Sequence, residues 1–272
     1  MEILPKITDG IDRREVLCTT YQMRNCFKQF ADGVARETDF HCYFQHAAAA
    51  DLCGKDARVL DVCCGRGMML PFLRYRPKST CSLYLGVDIH ASNAVFKDGT
   101  DPRNGKQKDD WSFPVKFVES NVAEMTDPIQ AVEKDPFDLI IYTSAIEHMQ
   151  PDAQRASLKC CRELAHSGTI LYLTCPVTES GNSGYDCHYA AHIYEPTRDE
   201  LAEWLGAAGW KITNTIGLCT GCKTFRSKLT GSQLEHAEYL YKIMPREQAL
   251  PTIAALYPWV AEEIAMVCSV KK

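Results

Sequence analysis

The chain has 272 residues, of which 46% are hydrophobic and 24% are charged, and its formal net charge is −5. This length and composition are typical of one large globular domain with attachments, and the acidic balance disfavours a non-specific nucleic-acid-binding protein. The sequence lacks a run of about 18 apolar residues and an apolar signal-peptide core, so no membrane-spanning helix is expected. We therefore expect a cytoplasmic protein whose 14 cysteines are mostly reduced.

Residues 1–54 have a mostly helical pattern. Apolar side chains recur there at near-helical spacing, and the alanine run at 47–50 favours a helix that ends before Gly54. We predict an N-terminal helical extension over 1–54, which either covers a ligand or only packs on the domain that follows.

The stretch from Ala57 to Gly67 predicts a buried strand followed by a tight turn. Gly65 and Gly67 allow positive φ angles and let a ligand approach the backbone closely. Asp61 lies at the carboxyl end of the strand, which is the edge where open α/β sheets bind ligands.

The sequence Leu-Asp-Val-Cys-Cys-Gly-Arg-Gly at 60–67 resembles the first motif of the class I S-adenosylmethionine (SAM)-dependent methyltransferases, nearest the ubiquinone/menaquinone-biosynthesis type. A dinucleotide site would usually have a third glycine, and Leu70 stands there. The resemblance implies SAM as cofactor, with Asp61, Cys63, Gly65 and Gly67 in its site. It also implies an α/β, Rossmann-like, seven-stranded sheet with helices on both faces, six parallel strands and an antiparallel last strand.

The next two strands supply further candidates for the SAM site. The strand Ser82–Ile89 brings Asp88 to its end, 21 positions after Gly67 (88 − 67), where an acidic residue binds both ribose hydroxyls. Ile89 would pack on the adenine. At the end of the strand predicted at 115–122, the resemblance places Asn121 at the adenine amino group, with Val122 beside it.

The segment Phe137–Met149 predicts a buried strand followed by small residues that include Ser144, which the resemblance places beside the methyl donor. Glu147 and His148 resemble the Glu-His pair of many small-molecule methyltransferases. They would position a substrate, act as a base or hold a metal, or they would only order the loop; we assign no metal site. A helix from an Asp152 cap to Leu164, closed by Ser167-Gly168, is expected next.

The strand predicted at 169–176 leads into a loop over 177–196 that is rich in glycine, histidine and tyrosine. His188 and His192 in this loop are candidates for a general base because imidazole titrates near neutral pH. They would otherwise be ordinary polar loop residues. The candidate catalytic residues are thus His188, His148, Glu147 and His192.

The remainder of the chain predicts a capping box of Thr197 with Glu200, a helix to Ala208 and a sixth strand at 210–217. The resemblance implies that the last strand, Glu263–Val270, inserts between the fifth and sixth strands. The core would then cover 55–217 and 261–272. The helical insertion at 218–260 would be either an aromatic-lined lid or a stabilising helical pair.

We therefore expect a SAM-dependent methyltransferase that acts on an oxygen, nitrogen or carbon atom of a small molecule or peptide, as a monomer or homodimer. One alternative is a nucleic-acid base methyltransferase, which the net charge disfavours. Another is a catalytically silent SAM-fold binding or regulatory protein, which the intact Asp61, Gly65, Gly67 and Asp88 disfavour. Neither a membrane nor a nucleic acid is expected as a partner.

Overall fold

A computed structural model describes residues 40–65, 67–74, 80–91, 113–179, 181–187 and 190–272. The strands are β1 Lys55–Val62, β2 Thr80–Asp88, β3 Val115–Glu119, β4 Phe137–Tyr142, β5 Ala165–Pro176, β6 Trp210–Cys219 and β7 Glu263–Val270. The helices are α1 Phe40–Asp51, α2 Leu70–Arg74, α3 Thr126–Val132, α4 Pro151–Glu163, α5 Arg198–Ala207, α6 Cys222–Lys228, α7 Gly231–Ile243 and α8 Arg246–Leu256. Short 3₁₀ helices lie at Val122–Glu124, Ile146–His148 and Pro258–Val260.

The seven strands form one sheet in the order β3-β2-β1-β4-β5-β7-β6. Neighbouring strands from β3 to β5 pair in parallel, and β7 pairs antiparallel with both β5 and β6. This confirms the predicted Rossmann-like sheet with an antiparallel last strand. The carboxyl ends of the parallel strands and the first residue of β7 therefore meet at one edge, where we place the functional site.

Two hydrophobic clusters cover the two faces of the sheet. One contains residues of α4 and α5 together with Leu60 and Ile140, and the other contains residues of α1 and α2 together with Val59 and Ile141. Neighbouring strand residues thus point to opposite faces, and both faces are buried, as parallel sheets require.

Several predicted boundaries differ from the structure. The third strand ends at Glu119, because Asn121 caps a 3₁₀ helix by accepting a hydrogen bond from the Ala123 amide. Helix α4 begins at Pro151 after Gln150, so the Asp152 cap is wrong. Ser167-Gly168 does not close that helix, because β5 already begins at Ala165 and includes both residues.

The insertion between β6 and β7 consists of α6, α7, α8 and a 3₁₀ helix, with a small hydrophobic cluster of its own around Phe225, Ile253 and Val260. Helix α8 packs directly against β6: a Cβ on Gly217 would lie 2.0 Å from the Ala254 carbonyl oxygen. None of the helices that the structure describes is both long enough and apolar enough to cross a membrane.

Candidate functional site

The turn after β1 has the backbone geometry that its glycines suggested. Cys63, Gly65 and Gly67 have φ angles of +55°, +51° and +78°. Cys64 fixes the turn to the next strand, because its amide donates to the Val87 carbonyl oxygen at 3.0 Å. Its sulfur lies over Gly86, where a Cβ would come within 2.7 Å of Sγ. The strand β2 therefore needs a glycine at this position to accept the turn.

Asp88 joins the end of β2 to this turn. Its Oδ2 accepts a hydrogen bond from the Gly65 amide at 3.0 Å, and its Oδ1 accepts one from the His90 amide at 2.9 Å. Each carboxylate oxygen has two lone pairs, so one on each remains to accept a hydroxyl hydrogen of a ribose diol.

The surface around Asp88 is open and partly apolar. Ile89 leaves 57% of its side chain exposed and offers an apolar surface to a base. A Cβ added to Gly65 would have no atom of the described residues within 4 Å, leaving aside Gly65 itself and its two chain neighbours. A ligand can thus lie against the turn backbone.

Asp61 lies beneath the turn and not on its surface. The residue is 4% exposed, and its Oδ2 accepts a hydrogen bond from the Tyr84 hydroxyl at 2.6 Å. The pKa of Asp61 is raised to about 7, mainly by burial, which outweighs the lowering by the Tyr84 hydrogen bond and is reinforced by the nearby Asp88 charge. Tyr84, which sequence reasoning missed, is therefore its immediate partner.

The two residues expected at the adenine differ in their surroundings. Asn121 is exposed, and its Oδ1 accepts the Ala123 amide at 3.1 Å while keeping a second lone pair for an amino group. Val122 is 3% exposed and belongs to the hydrophobic core. Its backbone, and not its side chain, is the part available near a base.

Ser144 follows β4 with a φ angle of +42° and lies in a buried polar network. Its amide donates to Thr174 Oγ1 at 3.0 Å, and its hydroxyl lies 2.9 Å from Gln45 Oε1 and 3.0 Å from Glu263 Oε1. The Ser144 hydroxyl has one proton, so it donates to one of these two oxygens at a time. The network ties α1 and the start of β7 to the strand edge beside the expected methyl donor.

Three of the four candidate catalytic residues come together in the structure. The backbone amides of Ile193 and Tyr194 donate to the Glu147 carbonyl oxygen at 2.8 and 3.1 Å, which brings the loop against the segment after β4. The rings of His148 and His192 pack edge to face, 4.9 Å between centroids. His188 lies outside the described residues.

His192 lies between two buried carboxylates. Its Nδ1 is 2.6 Å from Glu195 Oε1, and its Nε2 is 3.9 Å from Glu147 Oε1. Glu147 and Glu195 are 1% and 0% exposed. His148 is exposed, and its Nδ1 lies 3.0 Å from the Ala191 carbonyl oxygen.

Sequence reasoning missed four polar residues of this edge: Gln45, Thr174, Glu195 and Glu263. Glu263 had a usable signal, because a charged first residue on an antiparallel last strand must lie at the ligand edge. Gln45 and Glu195 had none, since their positions depend on how a helix and a long loop pack on the sheet.

The chain matches a family model described as a methyltransferase domain over residues 8–215. A comparison with curated protein sequences gives no significant match.

Solved structures with a similar fold have low sequence identity to this chain. A 1,6-didemethyltoxoflavin-N1-methyltransferase from Burkholderia thailandensis, with S-adenosylhomocysteine bound, is 18% identical, with a TM-score of 0.52 and coverage of 98% of this chain and 94% of that one. A SAM-dependent methyltransferase from Archaeoglobus fulgidus is 15% identical, with a TM-score of 0.50 and coverage of 89% and 98%. The [4+2]-cyclase SpnF is 17% identical, with a TM-score of 0.52 and coverage of 83% and 79%. At these identities the likeness concerns the fold alone.

Proposed function

Because the chain belongs to the methyltransferase domain family and is a SAM-dependent methyltransferase, we propose that its acceptor is an oxygen, nitrogen or carbon atom of a small molecule or peptide. The observation that carries this proposal is the shared strand edge. Asp88 ends β2 and Gly65 lies in the turn after β1. Ser144, Glu147 and His148 follow β4, and His192 packs against His148 from the loop after β5.

Bound SAM supplies a methyl group already activated by its sulfonium, so the protein contributes mainly proximity and alignment. Asp88 binds the ribose hydroxyls, and Asp61, Cys63, Gly65 and Gly67 shape the turn against which the cofactor lies. Ile89, Asn121 and Val122 surround the adenine, and Ser144 lies beside the methionine end. These assignments are our proposal for the cofactor site.

Glu147, His148, His188 and His192 form the acceptor side of the site in this proposal. They bind an acceptor O–H or N–H and promote loss of its proton, either as bases or as ligands of an ion. His148 is well placed for contact with an acceptor because it is exposed while its backbone partner fixes the ring.

A cavity of about 340 Å³ is lined by none of the residues assigned here to the cofactor or the acceptor. It is bounded by Thr178 just after β5, Arg198 at the start of α5, and Trp259 and Glu262 just before β7. It lies near the carboxyl end of β5 and the start of β7 and carries no argument about the acceptor.

The acidic net charge also fits a substrate other than a nucleic acid. The 11 cysteines whose side chains the structure describes are free thiols, which supports a cytoplasmic location. We propose that the protein acts there as a monomer or homodimer.

The test is an incubation of the purified protein with isotopically methyl-labelled SAM and a cell extract, followed by mass spectrometry of the labelled product. We expect a labelled small molecule or peptide together with S-adenosylhomocysteine. His148→Ala should lower turnover at least tenfold at unchanged SAM affinity. Label found only in nucleic acid, or SAM binding without any transfer, would contradict the proposal.

A further inference from the structure

The side chains of Glu147, His148 and His192, here called the acceptor-edge cluster, bring three metal-binding atoms together. One carboxylate oxygen and one ring nitrogen of each histidine lie within 4.8 Å of one another. Ligands bound at about 2.1 Å in a tetrahedral site are about 3.4 Å apart. His192 Nε2 and Glu147 Oε1, at 3.9 Å, already approach this spacing.

We propose that Glu147, His148 and His192 bind a divalent first-row transition-metal ion through a carboxylate oxygen and the Nε2 atom of each histidine. Two imidazoles and one carboxylate suit Mn²⁺, Fe²⁺, Co²⁺, Ni²⁺ and Zn²⁺ better than Mg²⁺ or Ca²⁺, which prefer all-oxygen sites. Three protein ligands leave at least one coordination position for another molecule.

Hydrogen bonds on the far side of both rings orient them for this role. Glu195 Oε1 lies 2.6 Å from His192 Nδ1, and the Ala191 carbonyl oxygen lies 3.0 Å from His148 Nδ1. A carboxylate or carbonyl oxygen only accepts, so each Nδ1 carries the hydrogen. The neutral rings then carry their lone pairs on Nε2, as metal-binding histidines held by an outer carboxylate or carbonyl do.

The backbone holds the cluster rigidly. The Ile193 and Tyr194 amides bind the Glu147 carbonyl oxygen, so the loop with His192 is fixed to the segment with Glu147. Gln154 is fully buried, and its side-chain nitrogen donates to the Met149 and Tyr194 carbonyl oxygens at 2.9 Å each. The three ligands are therefore positioned by the fold before an ion arrives.

The charge of the cluster also favours a dication. Glu147 and Glu195 are both buried and flank His192. The charges of both carboxylates would attract a divalent ion bound by Glu147 and His192. Buried charges in proteins are usually paired or bound to metal ions.

The role of the ion rests on the proposed function, although ion binding itself does not. An acceptor hydroxyl bound at the open position would be oriented and would lose its proton more readily, to solvent. Its oxygen then bonds to the methyl carbon while the bond from that carbon to sulfur breaks, with its electron pair left on sulfur. In this arrangement the two histidines act as ligands and not as bases.

The test uses the full-length protein, stripped with EDTA and desalted, and titrated with Co²⁺ alone by calorimetry and visible absorption. We expect about one ion per chain. Glu147→Gln, His148→Ala and His192→Gln should each weaken binding at least tenfold, and Glu195→Gln should weaken it about 10- to 100-fold. Circular dichroism verifies folding, and the exposed His148 is the variant least expected to disturb it.

Two matched controls sharpen the result. His166 Nε2 lies 3.0 Å from Asp138 Oδ1 near the opposite edge of the sheet, so His166→Gln removes a similar pair and should leave Co²⁺ binding unchanged. Cys222→Ser tests binding by the thiols at Cys219 and Cys222 and should also leave it unchanged. No binding, or binding lost in Cys222→Ser but retained in the cluster variants, would overturn the inference.

SAM affinity measured in EDTA separates this inference from the proposed function. If SAM binds and Co²⁺ does not, the ion site fails while the methyltransferase proposal stands. If Co²⁺ binds through the cluster but no methyl acceptor is found, the ion site stands by itself.

Discussion

At the scale of single residues, Asp61 shows how the fold changes the chemistry of a motif residue. The sequence placed it at the cofactor, but the structure buries its carboxyl group and binds it to the Tyr84 hydroxyl. Burial raises its pKa to about 7, whereas an exposed aspartate ionises near pH 3.9. The folded state thus keeps a proton that the unfolded chain has already lost.

This difference predicts a pH-dependent stability. The stability that the raised pKa of Asp61 gives to the folded state is fully present below about pH 4 and is lost as the pH rises through about 7. Asp61→Asn still accepts the Tyr84 hydrogen bond but does not ionise. The free energy of unfolding of Asp61→Asn minus that of the wild type should therefore rise by on the order of 3 kcal/mol between pH 5 and 8. Urea unfolding across this range measures it, and parallel pH profiles for both proteins would contradict the assignment.

At the scale of elements, the insertion is joined to the sheet through a close approach of α8 to β6. Gly217 lies in β6, and a Cβ there would be 2.0 Å from the Ala254 carbonyl oxygen and 3.0 Å from Ala261 Cβ. Because backbone atoms cannot move aside as a flexible side chain does, this contact admits only glycine. Both interpretations of the insertion, as a lid and as a stabilising helical pair, stay predictions.

Gly217→Ala should lower the free energy of unfolding by about 1 to 3 kcal/mol or more, through overpacking. The matched control is Gly206→Ala in α5, where no described atom outside the helix backbone and the neighbouring residues lies within 4 Å of the added Cβ. That change should be neutral or stabilising by up to about 1 kcal/mol. Urea denaturation compares the two, and equal stability of both variants would refute the close packing.

At the scale of the whole molecule, the proposed cofactor site joins separate parts of the sheet. Asp88 links the β1 turn to β2, and the Ser144 network links β4, β5, β7 and α1. A ligand that binds along this edge contacts elements from across the fold, so its binding should stabilise the native state as a unit.

SAM at about 100 times its dissociation constant should stabilise the protein by about 2.7 kcal/mol. For a domain of this size, the melting temperature should rise by about 5 to 10 °C. Asp88→Ala should abolish most of the shift, whereas Asp152→Ala, at a side chain 94% exposed on α4, should preserve it. Differential scanning calorimetry measures the shift, and an equal shift in both variants would refute the ribose role of Asp88.

The sequence by itself determined the sheet. Its apolar runs and the glycines at 65 and 67 are local signals, and they belong to the motif whose resemblance implied the inserted antiparallel last strand, which is confirmed. The Thr197 capping box with Glu200 is confirmed for the same reason, since its partners are three residues apart.

Only the tertiary structure decided the surroundings of those residues. The bond of Tyr84 to Asp61, the contact of Gln45 with Ser144 and the meeting of His192 with Glu147 join side chains 23, 99 and 45 positions apart (84 − 61, 144 − 45 and 192 − 147). No local pattern encodes such pairs, because they form when a helix, a loop and a strand end pack against one sheet edge.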